Sequence, residues 1–401
     1  MKITLVGINY APEPTSVGPY ATGAAEGLHR VGEDVQVITG YPHYPQWRVA
    51  DGYTGLTRRE WINEIPVLRL RHPVPTTGSV VGRSLMEVVF GLRAALRRWH
   101  HTEVVMSITP PLLSTALVVA RARLTRVPAV VWVQDIYTLG ATQTGKATGL
   151  AGVIQRIEAW TLRSATRVVV IHDRFAEFIT TRLGVEPERV DVVRNWSHVA
   201  ENTTRSAAAR ERLGWSADEV IVLHAGNMGS KQHLENVVRA SALAAERRSK
   251  VRFVLLGDGH RRAALEAMGS NTNLTFIDPL PEDAFAEALA NADALLVNEL
   301  PTMTEMSVPS KLTTYFSSGL PVLAAVSPDS VTAAELEAAG AGLVVGADDP
   351  AALLDGAEAL AADRELGRKL GESGLAYRRA VLSEPAAIAG LQHSLAAALK
   401  A

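Results

Sequence analysis

Short, wholly apolar runs recur along this chain, and each ends in a polar loop that leads into a helical pattern. A strand buried on both faces reads as a continuous apolar run, not as an alternation. Strand and helix patterns taking turns predict parallel sheets covered by helices on both faces. In the first half the expected strands are 3–6, 35–39, 67–70, 104–108, 129–133, 168–171 and 190–193. The helices between them are expected at 18–31, 82–99, 112–124, 150–163 and 174–183. A polar stretch, Arg194-Asn195-Trp196-Ser197 and then Glu201-Asn202-Thr203-Thr204, interrupts the pattern. The alternation then restarts with strands at 220–223, 251–256, 274–277, 294–297, 322–325 and 342–345. Helices are expected at 234–245, 261–267, 282–289 and 309–318, and the tail from Pro350 is helical and alanine-rich. With 401 residues, the chain exceeds one ordinary core. We therefore expect an α/β protein of two doubly wound, Rossmann-like domains, 1–198 and 199–380, facing a cleft. A C-terminal helix, 381–401, is expected to pack back toward the first domain.

Composition excludes several classes. There is no cysteine, which removes disulfides, thiolate catalysis and cysteine-ligated metals. A net charge of −2 argues against a nucleic-acid binder. No apolar run approaches a membrane span, and the start MKITLVGINY enters a strand without a signal-peptide layout, so a cytoplasmic protein is expected. No HExxH, DxD or clustered ligand spacing suggests a metal.

The chemistry-bearing stretches fall at strand ends. After the first strand comes Gly7-Ile8-Asn9-Tyr10-Ala11-Pro12-Glu13-Pro14, with Gly18 at a helix start, where bare backbone lets a phosphate approach. This is not a GxGxxG fingerprint, which disfavours a nicotinamide cofactor. In the second half a strand runs into Gly226-Asn227-Met228-Gly229-Ser230-Lys231, two glycines and a lysine suited to phosphate oxygens. A third loop, Gly257-Asp258-Gly259-His260, reads as a tight turn lining a cleft. The stretch 298–325 places Glu299 and Glu305 before Pro309-Ser310-Lys311, which open a helix whose free N–H groups suit an anion. Thr313, Thr314 and Tyr315 lie within reach of a ribose. Asp135 ends the strand Trp132-Val133 and reads either as a hydroxyl contact or as a cap; His172 is ambiguous, and Asp173 reads as a helix cap. Residues 40–59, rich in Tyr, Pro and Arg, read as a functional loop. Arg93, Arg97, Arg98, His100 and His101 make a basic helix end that is either a solvated face or a contact for an anionic lipid surface or a pyrophosphate-bearing acceptor.

Taken in order, GINYAPEPTSVGPY, ITGYPHYPQW, WVQDIY, VVRNWS, HAGNMGSKQHLENVV, LLGDGHRR and NELPTMTEMSVPSKLTTYFSSGLPVLAAV resemble the retaining glycosyltransferases of family 4, which have the GT-B fold. Within it the chain resembles most the fucosyl- and N-acetylfucosaminyltransferases of colanic-acid and O-antigen assembly. The resemblance runs from the first strand to Val345. It implies transfer, without a metal or other cofactor, of a sugar from a nucleoside diphosphate, UDP before others. The implied acceptor is a hydroxyl of a lipid-diphosphate-linked sugar or a small glycoside, with a peripheral contact to the inner face of the plasma membrane.

Carried over residue by residue, the resemblance puts Gly18, Gly226, Asn227, Lys231, Asp258, Ile277, Glu305, Pro309, Ser310, Lys311 and Thr314 around the donor. It gives catalytic work to Lys231, Glu305, Asp135 and His172. The acceptor is expected at Tyr10, Tyr41, His43, Tyr44, Trp47 and Arg93. Two departures stand out. Thr314 occupies the place of the second glutamate of the family's E-x7-E motif, one residue beyond the usual spacing from Glu305. Asn227 stands in the region of the arginine that normally partners the lysine. Alternatives left open are a nucleotide-sugar 2-epimerase of the same fold, a natural-product transferase with a soluble acceptor, and a non-catalytic nucleotide-sugar binder.

Overall fold

The computed structural model describes residues 1–14, 17–75, 79–99, 101–138, 150–196, 200–302 and 310–401. Glu305 and Pro309 lie outside them. The chain divides into two units, Met1–Asn195 with Glu384–Ala401, and Trp196–Ser383. The first division thus falls after Asn195 and not at residue 198. The last helix begins at Glu384, later than the expected 381.

Unit 1 carries β1 (Lys2–Val6), β2 (Asp34–Gly40), β3 (Thr57–Ile62), β4 (Ile65–Leu70), β5 (Val104–Thr109), β6 (Ala129–Val133), β7 (Arg167–Val170) and β8 (Val190–Val192). Its helices are α1 (Gly18–Arg30), α2 (Val80–Ala95), α3 (Leu112–Thr125), α4 (Leu150–Ser164) and α5 (Asp173–Thr181). The strand order is β3-β4-β2-β1-β5-β6-β7-β8, parallel except for β3. Strand β3 was not expected, because 40–59 read as one long loop. It is a hairpin partner of β4 at the sheet edge, turned through Asn63 and Glu64, both at positive φ, as a two-residue hairpin requires. Its exposed face carries Trp61, so the apolar-run criterion missed it.

Unit 2 carries β9 (Val220–Ala225), β10 (Val251–Leu256), β11 (Leu274–Ile277), β12 (Ala294–Asn298), β13 (Val322–Ala325) and β14 (Gly342–Val345). Its helices are α6 (Ala207–Arg212), α7 (Glu235–Glu246), α8 (Arg262–Ala267), α9 (Glu282–Asn291), α10 (Ser310–Tyr315), α11 (Val331–Ala339), α12 (Pro350–Ala362) and α13 (Arg364–Ala380). The order is β11-β10-β9-β12-β13-β14, all parallel. Successive residues of β9 feed opposite cores. Ile221 and Leu223 pack with Leu295, Leu312 and Phe316, whereas Val222 packs with Val237, Phe253 and Leu296. That two-sided burial is why the strand is apolar throughout.

The C-terminal helix, α14 (Glu384–Ala398), packs on α1 and on β5 to β8, and so completes unit 1 from the far end of the chain. Ile388, Leu391 and Leu395 are buried there. An Arg30–Glu384 ion pair at 3.1 Å anchors its start. Leu391→Ala should cost about 2–5 kcal/mol through a buried cavity. Urea unfolding followed by circular dichroism would measure it, and an unchanged midpoint would contradict this account of how unit 1 is closed.

Candidate active site

In unit 2 the sequence order of the strands reverses between β9 and β12, which opens a crevice at their carboxyl ends. The loop after β9 is built by backbone contact with the loop after β10. Gly226 N–H donates to the Leu256 carbonyl at 2.8 Å, Met228 N–H to that of Asp258 at 2.8 Å, and Arg261 N–H to that of Met228 at 3.0 Å. Gly257, at φ +133°, faces the Gly226 carbonyl so closely that a Cβ would sit 2.1 Å from its oxygen. The Asp258 carboxylate accepts from its neighbour's Gly259 N–H at 2.7 Å and so closes this turn. Asn227 is exposed.

Lys231 sits on a single 3-10 turn, Ser230–Gln232, and is exposed. Its position is fixed through main chain. The Leu300 N–H donates to the Lys231 carbonyl at 3.0 Å. The buried Asn298 amide donates to the Gln232 and His233 carbonyls at 3.0 and 2.9 Å, and accepts from Asn236 at 2.9 Å. Asn298 was not singled out from sequence. The signal available was a polar residue closing an apolar strand.

The Lys311 side chain reaches the same glycine loop. Its Cε lies 3.2 Å from where a Cβ on Gly226 would be, and its Nζ lies 3.4 Å from His224 Nε2. Burial lowers its pKa to about 8, partly offset by the Glu299 carboxylate. Burial raises the pKa of Glu299, whose two oxygens accept from Thr332 Oγ1 at 2.9 and 3.0 Å. Burial first, and then the Lys311 ammonium, push His224 well below its ordinary value, so it is neutral. Helix α10 is short and runs into a 3-10 turn at Phe316–Ser318, which limits what its dipole adds. Thr313 and Tyr315, expected near a ribose, are buried. The Tyr315 hydroxyl accepts from Ala225 N–H at 2.9 Å and so ties α10 to β9. Thr314 is half-buried, as is Ile277 at the end of β11.

In unit 1 the corresponding reversal lies between β1 and β5. Gly18 opens α1, but the space above it is taken by the chain itself. A Cβ there would stand 2.8 Å from the Glu13 carbonyl oxygen. The glycine is thus explained by internal packing. Glu13, buried, clamps the following loop, with Oε1 accepting from the N–H groups of His43 and Tyr44 at 2.8 and 2.9 Å and Oε2 from Asn9 at 2.8 Å. The acceptor expectations need correction here. Tyr10 and Tyr41 are core residues, and Tyr41 donates to the Thr54 carbonyl at 2.8 Å. His43 is buried against His72. Tyr44 and Trp47 remain half-buried. His172, not Asp173, caps α5, with Nδ1 accepting from Arg174 N–H at 3.1 Å, because the helix begins one residue earlier than expected. Asp173 pairs with Arg194 at 2.6 Å. Asp135 is exposed at the end of β6, and its Oδ1 accepts from Ile136 N–H.

What the structure brings together instead is a pocket of about 530 Å³, lined among others by Trp47, Arg48, Arg71, His72, Val89 and Arg93. Trp47 and Arg93 were expected at an acceptor; Arg48, Arg71 and His72 were not. Arg93 donates to the carbonyls of Arg71, at 2.5 Å, and Leu56, at 2.8 Å, which holds the rim. Burial lowers His72 to about 4, with His43 adding to the shift, so the positive charge of the pocket comes from arginines. Among the described residues no group of three His, Asp or Glu side chains is placed to hold a metal. Nor is any helix among them long and apolar enough to cross a membrane.

Residues 15–196 match the model of a glycosyl transferase 4-like domain, and residues 219–363 that of glycosyl transferases group 1. A putative colanic acid biosynthesis glycosyl transferase, WcaI of Escherichia coli K12, is 30% identical over 80% of this chain and 82% of its own length. The chain is a family 4-like, group 1 glycosyltransferase. Within the glycosyltransferases it is also 26% identical to the 2-deoxystreptamine glucosyltransferase of Streptomyces kanamyceticus, over 67% of this chain and 71% of that one. Anabaena HepE in complex with UDP superposes with a TM-score of 0.71 over 99% of this chain and 100% of its own, at 14% identity, a likeness of GT-B architecture. Membership of this glycosyltransferase family favours transfer over the epimerase and non-catalytic alternatives.

The lysine beside Glu299 has a measurable signature. Its folded pKa, about 8, lies below the ordinary 10.5, so the unfolded chain holds this proton to higher pH. Stability from this group therefore rises between about pH 8 and about pH 10.5 and is flat below. Lys311→Met should remove that rise. Urea unfolding of both chains across this range would show it, and parallel pH profiles would mean the ammonium is not desolvated.

Proposed function

We propose that this glycosyltransferase retains anomeric configuration, needs no metal, and takes a fucose-, N-acetylfucosamine- or N-acetylglucosamine-type sugar from a nucleoside diphosphate, UDP before others. The observation that carries the donor reading is the pairing of Lys231 and Lys311 with a glycine loop at the β9/β12 reversal. Breaking the sugar–phosphate bond leaves negative charge on a diphosphate, and fixed cations and N–H groups stabilise that charge as it develops. Lys231 is exposed at its side chain and fixed at its backbone. Lys311 is held in low-dielectric surroundings, where its charge acts more strongly. Together they take the place of the lysine–arginine pair implied by the family resemblance. The structure of HepE with UDP supports a uridine nucleotide.

Retention follows if the acceptor hydroxyl attacks from the face the diphosphate leaves. The departing phosphate oxygen then receives the hydroxyl proton, and no enzyme nucleophile is required. Asp135, at the end of β6, would orient sugar or acceptor hydroxyls. His172, which caps α5, would share in positioning acceptor or sugar. The acceptor would be a lipid-diphosphate-linked sugar, in keeping with the colanic-acid relative, with its anionic part against Arg71 and Arg93. A soluble glycoside is the second reading, favoured by the 2-deoxystreptamine glucosyltransferase.

A thermal-shift panel of UDP, GDP and dTDP should single out one nucleotide, since only a ligand of the folded state stabilises it. Lys231→Ala should lower transfer about 100-fold or more without lowering the melting temperature, because its side chain is exposed. A rate near that of the parent chain would remove Lys231 from the mechanism. Transfer should also survive excess EDTA; loss restored by Mg²⁺ would overturn the metal-free reading.

A further inference from the structure

Strand β9 is apolar until it nears the glycine loop. Val220-Ile221-Val222-Leu223 is then followed by His224, whose side chain is wholly buried. Burying an imidazole costs free energy unless a partner meets it. An aliphatic side chain would fill the same place in the sheet without that cost. Among the described residues, the one side chain within hydrogen-bonding distance of the ring is Lys311, with Nζ 3.4 Å from Nε2.

Local geometry explains why these two residues meet. Residues four apart share a helix face, so Lys311 and Tyr315 lie on the same side of α10. Tyr315 takes the Ala225 N–H at 2.9 Å, and Lys311 takes His224. Helix α10 is thus tied to the end of β9 at two points, one turn apart. Gly226 completes the fit, since its missing side chain leaves room for the lysine stem, whose Cε lies 3.2 Å from where a Cβ would stand.

The contact also fixes a proton. An ammonium has three donors and no acceptor, so Nε2 must offer its lone pair and the ring proton sits on Nδ1. Burial first, and then Lys311, disfavour a second ring proton, although the main chain at Asn227 and Leu296 works the other way. Glu299 does not locate the ammonium. It favours the lysine's charge, but both its oxygens accept from Thr332 Oγ1, at 2.9 and 3.0 Å. With one N–H committed to His224, the ammonium keeps its others for the oxygens of an anion over the glycine loop.

We propose that His224 is a positioning residue, which holds the Lys311 ammonium at the glycine loop for the diphosphate of the donor. Its role rests on the donor reading of this loop, because it acts through Lys311. Isothermal titration calorimetry of the full chain with UDP, GDP and dTDP tests it as a double-mutant cycle, read with the nucleotide that the parent binds. Lys311→Met should weaken binding about 10-fold or more, the effect of losing a hydrogen bond to a charged group. His224→Leu should weaken it roughly 5-fold or more in the parent chain, and less than about 2-fold in the Lys311→Met background. His224→Gln can set an amide oxygen near the place of Nε2 and should stay within about 2-fold of the parent. His224→Asn reaches only the place of Nδ1 and should bind as weakly as His224→Leu. The glutamine and asparagine variants decide the matter if the leucine variant does not fold. A role in the core alone would lower the melting temperature and leave binding unchanged, or weaken it equally in both backgrounds. Either result overturns the proposal, as does a folded His224→Gln that binds no better than His224→Asn. Equal binding by the parent and Lys311→Met is a different failure, which overturns the donor reading of Lys311 and the task of His224 with it. A parent chain that binds none of the three nucleotides does the same.

Discussion

Strand β9 pairs in parallel with β10 on one side and with β12 on the other. The chain therefore leaves β9 in one direction around the sheet and returns to it from the other. Two loops that are distant in sequence must end side by side above the same strand pair. The glycine loop after β9, with Lys231, comes from one, and Asn298, Glu299 and Leu300 come from the other. The hydrogen bonds from Asn298 and Leu300 into the Lys231 turn are possible only because of that reversal. The close backbone contact of Gly226 with Gly257 adds the neighbouring strand's loop to the same edge.

Charge is then handled by uneven burial. Lys231 is left to solvent, whereas Lys311 is drawn under Glu299 and beside a neutral His224. Desolvation works against the charges of both Lys311 and Glu299, and their attraction offsets part of that cost. An anion at this place would be a second partner for the ammonium and would offset more of that cost. Unit 1 uses a related device for structure alone. Arg69, wholly buried, ties β4 to the ends of β2 and of the loop after β1 through Gly40 and Ala11, with Glu60 as its counter-charge. Glu13 holds the next loop from the opposite side. These two buried charges shape the loops that border the arginine-lined pocket.

The outer faces of the helices show the same rule from the other direction. Helix α13 satisfies water with ion pairs, while α2 leaves a stripe of leucine and valine open and keeps its one carboxylate inside. Its inward Glu87 serves the N-terminal N–H groups of α3, a structural task that also clears the outer face of negative charge.

The residue pattern by itself determined most of the fold. Runs such as 220–223 and 294–297 can only be buried on both faces, and their alternation with helices allows little besides two parallel, doubly wound sheets. The edge hairpin at β3 escaped because half of it faces water and carries no apolar run. The glycine loops and Lys231 were legible because strand-end glycines followed by a cation are local signals. Tertiary structure alone decided which side chains turn inward. Tyr10, Tyr41 and His43 look like exposed loop aromatics in sequence, yet Glu13 and the sheet draw them into the core. Asn298 and the side chain of Lys311 gained their importance from neighbours more than sixty residues away, across a strand order that no local pattern encodes.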